Sequence, residues 1–92
     1  MRKKVVAGNW KMNNNKSETA DLIQALKSLS FSTDVRVMIA PPFTHLAQAE
    51  ELTQGGRIEV LAQNMNANDS GAFTGEISAK MLHSIGINKV IL

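Results

Sequence analysis

The stretch "VRVMIAPPFTHLAQAEELTQGGRIEVLA", Val35 to Ala62, reads as a strand, a helix and a second strand. Val35-Arg36-Val37-Met38-Ile39-Ala40 is nearly continuous in apolar residues, and Pro41-Pro42 ends it because neither proline can donate to a ladder. Thr44 is placed to cap a helix carrying Leu46, Ala47, Ala49 and Leu52, which Gly55-Gly56 closes. Arg57 to Ala62 is again strand-like. Strands that are apolar throughout, rather than alternating in and out, belong to parallel sheets covered by helices.

The same alternation continues on both sides. Upstream, Lys4-Val5-Val6-Ala7-Gly8 runs into Asn9-Trp10-Lys11 as a first strand. Asn15 and Glu18 then form a capping-box signal, and Leu22, Ile23, Leu26 and Leu29 mark one apolar helical stripe before a loop over Ser30 to Asp34. Downstream, the polar run Gln63 to Gly71 is turn-prone, Ile77, Met81, Leu82 and Ile85 mark a third helix, and Gly86 suits its left-handed terminus. Asn88 to Leu92 reads as a fourth strand. The expected fold class is α/β, ordered β-α-β-α-β-α-β, with parallel strands in right-handed βαβ units.

A chain of 92 residues with 43% apolar content suffices for one domain at most. A strand closing at Val90-Ile91-Leu92, and four strands served by three helices, lead to the expectation that residues 1–92 are an incomplete domain. The absence of cysteine excludes disulfides, thiolate metal sites and cysteine nucleophiles. Apolar runs fall far short of the roughly 20 residues that span a bilayer, and Val5-Val6-Ala7 after the basic start is too short for a signal peptide. A cytoplasmic protein without membrane partners is expected. Ten basic against eight acidic residues give a net charge of +2, and Arg2-Lys3-Lys4 has no interleaved aromatics, so no nucleic-acid partner is expected.

Ligands of parallel α/β sheets bind beyond the carboxyl ends of the strands. That rule selects Asn9 and Lys11, then Pro41 to Thr44, then Gln63 and Asn64. An ammonium held at the mouth of a sheet attracts phosphate or a developing oxyanion, and Asn9 adds a neutral donor on the same side. The competing reading has the Lys11 stem packed on Trp10 with its head in water. Gln63 and Asn64 can position a ligand or the lysine head, or simply form a turn. His45 and His83 lack a partner at ligand spacing and read as packing or solvent-facing residues, and Glu50-Glu51 as a solvated face. Gly71 to Gly75 lacks a phosphate-loop pattern, but Phe73 in an exposed loop hints at a partner surface.

These segments resemble a known family. "AGNWKMN" (Ala7 to Asn13), "APPFTHL" (Ala40 to Leu46), "AQNMN" (Ala62 to Asn66), "GAFTGEIS" (Gly71 to Ser78) and "GINKVIL" (Gly86 to Leu92) are similar, in order and spacing, to the N-terminal part of the triosephosphate isomerase family. The resemblance implies the first four strands of a (β/α)₈ barrel. The implied enzyme interconverts dihydroxyacetone phosphate and D-glyceraldehyde 3-phosphate, in glycolysis and gluconeogenesis, through an enediolate and with no metal or organic cofactor. It further implies that Asn9 and Lys11 bind substrate, that Lys11 is catalytic through its charge, and that Asn64 helps to order it. Phe73, Thr74, Gly75 and Glu76 would lie in the loop that contacts the partner of a homodimer, Thr74 approaching the site there.

The family's pattern continues beyond Leu92 with a Gly-His-Ser-Glu segment whose histidine polarises the substrate carbonyl. Its glutamate base, mobile lid and glycine-rich phosphate clamp also lie further on and are not in this sequence. With about 250 residues in a whole barrel, a complementary C-terminal part is an expected partner. Two readings follow: a segment of an isomerase that supplies Asn9 and Lys11, or an inactive barrel fragment that acts as a folding or self-assembly module.

Overall fold

The computed structural model describes residues 3–92. Strand β1 (Lys4–Asn9) leads to helix α1 (Lys16–Lys27), β2 (Val35–Ala40), a 3₁₀ turn (Phe43–His45), α2 (Leu46–Thr53), β3 (Ile58–Val60) and α3 (Ala79–Ser84). The strands form one sheet in the order β1-β2-β3, both pairs parallel, with Lys4 beside Val35 and Val37 beside Ile58. This is the expected arc of a parallel α/β barrel.

The fourth strand is reduced to one parallel bridge between Ala62 and Val90. It consists of Ala62 N–H donating to the Lys89 carbonyl (2.9 Å) and Ile91 N–H donating to the Ala62 carbonyl (3.0 Å). Beyond Ala62 the Gln63 side chain, not its backbone, reaches across to the ends of β1 and β2.

Alternation sorts the strand residues onto two faces. Val37, Ile39, Ile58 and Val60 join Trp10, Ile23, Leu46, Ala49, Leu82 and Ile87 in the core between sheet and helices. Met38, Ala40 and Leu61 pack on the opposite face with Ile91. The parallel register carries Val5, Ala7 and Asn9 to that second face beside Arg36, Met38 and Ala40. β1 is exposed along its whole length, with Val5 at 52% and Val6 at 58%.

The helix ends partly follow the sequence reading. At α1 the Asn15 Oδ1 accepts from the Glu18 N–H and Glu18 Oε1 accepts from the Asn15 N–H, both at 2.9 Å, which is the expected capping box. The expected stripe is displaced, however. Ser28 caps the helix, Leu29 lies past it, and Leu22 and Leu29 are exposed. The face that packs is Thr19, Ile23 and Leu26, at i, i+4 and i+7.

Thr44 does not cap α2. It is exposed within the 3₁₀ turn, whose tight geometry delivers the His45 N–H to the Pro42 carbonyl at 3.0 Å and moves the helix start to Leu46. Ser78 caps α3 by accepting from the Met81 N–H, and Leu82 is buried while Met81 and Ile85 are exposed. Gly86 has φ +85°, as its place after α3 requires.

On the second face a carboxylate is held by two cations. Arg36 Nε and Nη2 donate to the two oxygens of Glu59 at 2.9 and 2.6 Å, and Lys89 Nζ lies 3.2 Å from Glu59 Oε1. The Arg36 fork, joined by Lys89, holds the Glu59 carboxyl down at about 2 against the opposing effect of desolvation. Because the folded value is depressed, the stabilisation is complete above the ordinary value of 4.5 and is lost as pH falls toward 2. The Glu59 side chain is 29% exposed and that of Arg36 41%, so solvent screens the contribution to about 1 kcal/mol or less. Urea unfolding of the wild type and Glu59→Gln between pH 5 and pH 2.5 should show the wild type alone losing this increment. Parallel pH dependence in both would show that the cluster does not contribute.

Candidate functional site

At the carboxyl end of the sheet, Trp10 and Lys11 part company. The Trp10 N–H extends β1 pairing by donating to the Ala40 carbonyl (3.1 Å), and its side chain is buried in the core at 9% exposure. Lys11 then turns sharply with φ +55° and is exposed. A left-handed conformation costs a residue with a side chain roughly 1–2 kcal/mol, so local contacts must hold it.

Several do. Asn9 Oδ1 accepts from the Lys11 N–H at 2.9 Å, an Asx turn across the corner. Gln63 Nε2 donates to the Lys11 carbonyl (2.9 Å) and to the Ala40 carbonyl (2.8 Å), tying the ends of β1 and β2 to the exit of β3. Asn13 Nδ2 donates to the Trp10 carbonyl at 2.8 Å. The turn ends at Asn14, also left-handed with φ +76°, whose carbonyl lies 3.0 Å from His45 Nε2.

The corner therefore brings together Asn9, Lys11 and Gln63. Among the described residues no ion pair includes Lys11. Its ammonium and the Asn9 Nδ2 suit a negatively charged ligand, because a charge-assisted hydrogen bond contributes about 1.5–3 kcal/mol, whereas both Gln63 Nε2 hydrogens are committed to carbonyls. Asn64 is exposed, and no hydrogen bond joins it to the Lys11 segment among the described residues. The preceding residue, Gln63, is bound to the Lys11 carbonyl. The period of two on β3 carries the signal, because Glu59, Leu61 and Gln63 share the parity of the face that Asn9 occupies.

His45 was read from sequence as a packing or solvent-facing residue, and its link to Asn14 has no local sequence signal. The partners are 31 positions apart. His83 and Glu51 are exposed, as read, while Glu50 is half-buried with its side chain against Gly86.

The Gly71 to Glu76 loop stands apart from this corner, with no hydrogen bond between them among the described residues. Its base is closed by the Asn66 N–H donating to the Ile77 carbonyl (2.7 Å) and by Asn66 Nδ2 donating to Glu76 Oε1 (3.1 Å). Gly71 has φ +136°, and a Cβ there would lie 2.7 Å from Phe73 Cε2. Gly75 has φ +84°. Between these glycines, Phe73 is presented at 46% exposure beside exposed Thr74, Gly75 and Glu76.

Among the described residues there is no group of three side chains suited to a metal ion, and no helix long and apolar enough to cross a membrane. The family described as "Triosephosphate isomerase" matches residues 4–92. A triosephosphate isomerase from Flavobacterium psychrophilum is 54% identical over 100% of this chain and 37% of its own length. Those from Alkaliphilus metalliredigens and Alkaliphilus oremlandii are 44% and 46% identical with the same coverage. The chain thus spans a little over a third of the length of these curated relatives. Parallel strands, an exposed lysine at their carboxyl edge and a match along nearly every residue agree: the chain belongs to the triosephosphate isomerase family.

Proposed function

We propose that residues 1–92 form the N-terminal portion of one isomerase barrel that interconverts dihydroxyacetone phosphate and D-glyceraldehyde 3-phosphate. The observation that carries the reading is the left-handed corner at the end of β1, which turns Lys11 out at the edge where parallel sheets bind ligands. Asn9 and Lys11 bind the triose phosphate. Lys11 acts through charge, stabilising the oxyanion that grows as the enediolate forms. Asn64 supports it from the exit of β3, one residue beyond the Gln63 tie. The relatives' names support the substrate class.

Moving a proton between carbons also requires a base and an electrophile, and these are assigned to the complementary C-terminal part of the barrel. That part would also cover the exposed β1. Phe73, Thr74, Gly75 and Glu76 contact the partner of a homodimer, in a cytoplasmic enzyme that uses no cofactor.

General acid-base catalysis contributes about 10²- to 10⁴-fold, so the purified 92-residue chain should show isomerase activity indistinguishable from buffer. A coupled assay of the chain alone tests this. Enzyme-like turnover would mean that a base within the chain had gone unassigned. The second reading, an inactive fragment that assembles with copies of itself, is favoured by the exposure of β1 alone.

A further inference from the structure

We infer that His45 is a positioning residue for Lys11, holding the far end of the Lys11 to Asn14 turn through the Asn14 carbonyl; this rests on the substrate-binding reading of Lys11. The turn contains two non-glycine residues with positive φ, +55° at Lys11 and +76° at Asn14. Such a segment relaxes to ordinary backbone unless its ends are fixed from outside. Gln63 fixes one end at the Lys11 carbonyl (2.9 Å), and His45 Nε2 fixes the other at the Asn14 carbonyl (3.0 Å). A carbonyl only accepts, so Nε2 carries the proton of the bond, and it does so in both the neutral and the charged ring.

The anchor is itself rigid. His45 closes the 3₁₀ turn behind Pro41-Pro42, its own N–H bound to the Pro42 carbonyl at 3.0 Å, and the next residue, Leu46, is buried in the core. Three residues further along α2, Gln48 Nε2 donates to the Lys16 carbonyl at 2.9 Å. The two side chains grip the backbone on either side of the Asn15 cap. The start of α2 therefore sets where α1 begins, and through it the path of the turn that aims Lys11. Displacement of a binding group by about 1 Å is enough to cost up to 10²-fold in rate.

The test uses the full-length protein that carries this chain, with His45→Ala, His45→Gln and His45→Phe made alone and the first combined with Lys11→Ala. Gln keeps a donor for the Asn14 carbonyl, whereas Phe keeps a ring without one. Expected are a fall in kcat/KM of about tenfold in His45→Ala and His45→Phe, recovery of most of it in His45→Gln, and no further loss when His45→Ala is added to Lys11→Ala. Unchanged kcat/KM in His45→Ala and His45→Phe, equal losses in His45→Gln and His45→Phe, or an undiminished His45 effect without Lys11 would each overturn the inference. If His45→Ala does not fold, the Gln and Phe pair decides. Near-normal activity of Lys11→Ala alone would instead remove the underlying reading of the site.

Discussion

In the complete enzyme, Lys11→Ala should lower kcat by about 10²- to 10³-fold while leaving the melting temperature unchanged. Both halves of this expectation come from the geometry. Lys11 is exposed and in no ion pair among the described residues, so the fold does not depend on its ammonium. Alanine meets the same left-handed penalty at φ +55°, and the backbone bonds from Asn9 and Gln63 involve no Lys11 side-chain atom. On the proposed reading, what disappears is a positive charge at the point where negative charge develops on the substrate. Water entering the gap must reorient during the reaction, whereas the ammonium is already in place. Steady-state kinetics with a parallel thermal melt make the comparison, and near-normal turnover would remove Lys11 from the chemistry.

Leu46→Ala should destabilise the chain by about 2–5 kcal/mol. Leu46 is 1% exposed at the first residue of α2, in the core where the helices meet the sheet. Native domains are held by only about 5–15 kcal/mol in total, so one cavity at this position removes a large share of the available stability. Leu29→Ala is the control. Leu29 is 57% exposed and lies beyond the Ser28 cap, so its removal should change stability by less than about 0.5 kcal/mol. Urea unfolding, compared by midpoint at constant slope, separates the two. Equal effects would mean that the packed face of the helices is other than described.

The contrast between these leucines illustrates what the sequence made legible. Spacing located α1, and the Asn15 and Glu18 pair located its first turn, because both signals are local. Spacing alone did not choose between adjacent faces. Thr19 packs with Ile23 and Leu26 while Leu22 and Leu29 stay exposed, because the orientation of α1 is set by α2 and the sheet. The same limit explains Thr44, whose capping pattern was overridden by the tight turn that follows two prolines.

The position of Asn9 and Lys11 at the carboxyl edge of the sheet was legible because they follow a strand-like run. The left-handed corner was not, since neither Lys11 nor Asn14 is glycine. The Arg36, Glu59 and Lys89 cluster was equally hidden. Its members are scattered along the sequence and meet only when parallel register brings three chain segments side by side.

The central claim is that the corner at Lys11 binds the negative charge of a phosphorylated substrate. Isothermal titration of the full-length protein with a phosphorylated carboxylate analogue of the enediolate tests it most directly, in the wild type and in Lys11→Ala. A charge-assisted hydrogen bond of about 1.5–3 kcal/mol corresponds to roughly 10- to 150-fold weaker binding in the variant. Equal affinity in the two proteins would contradict the claim.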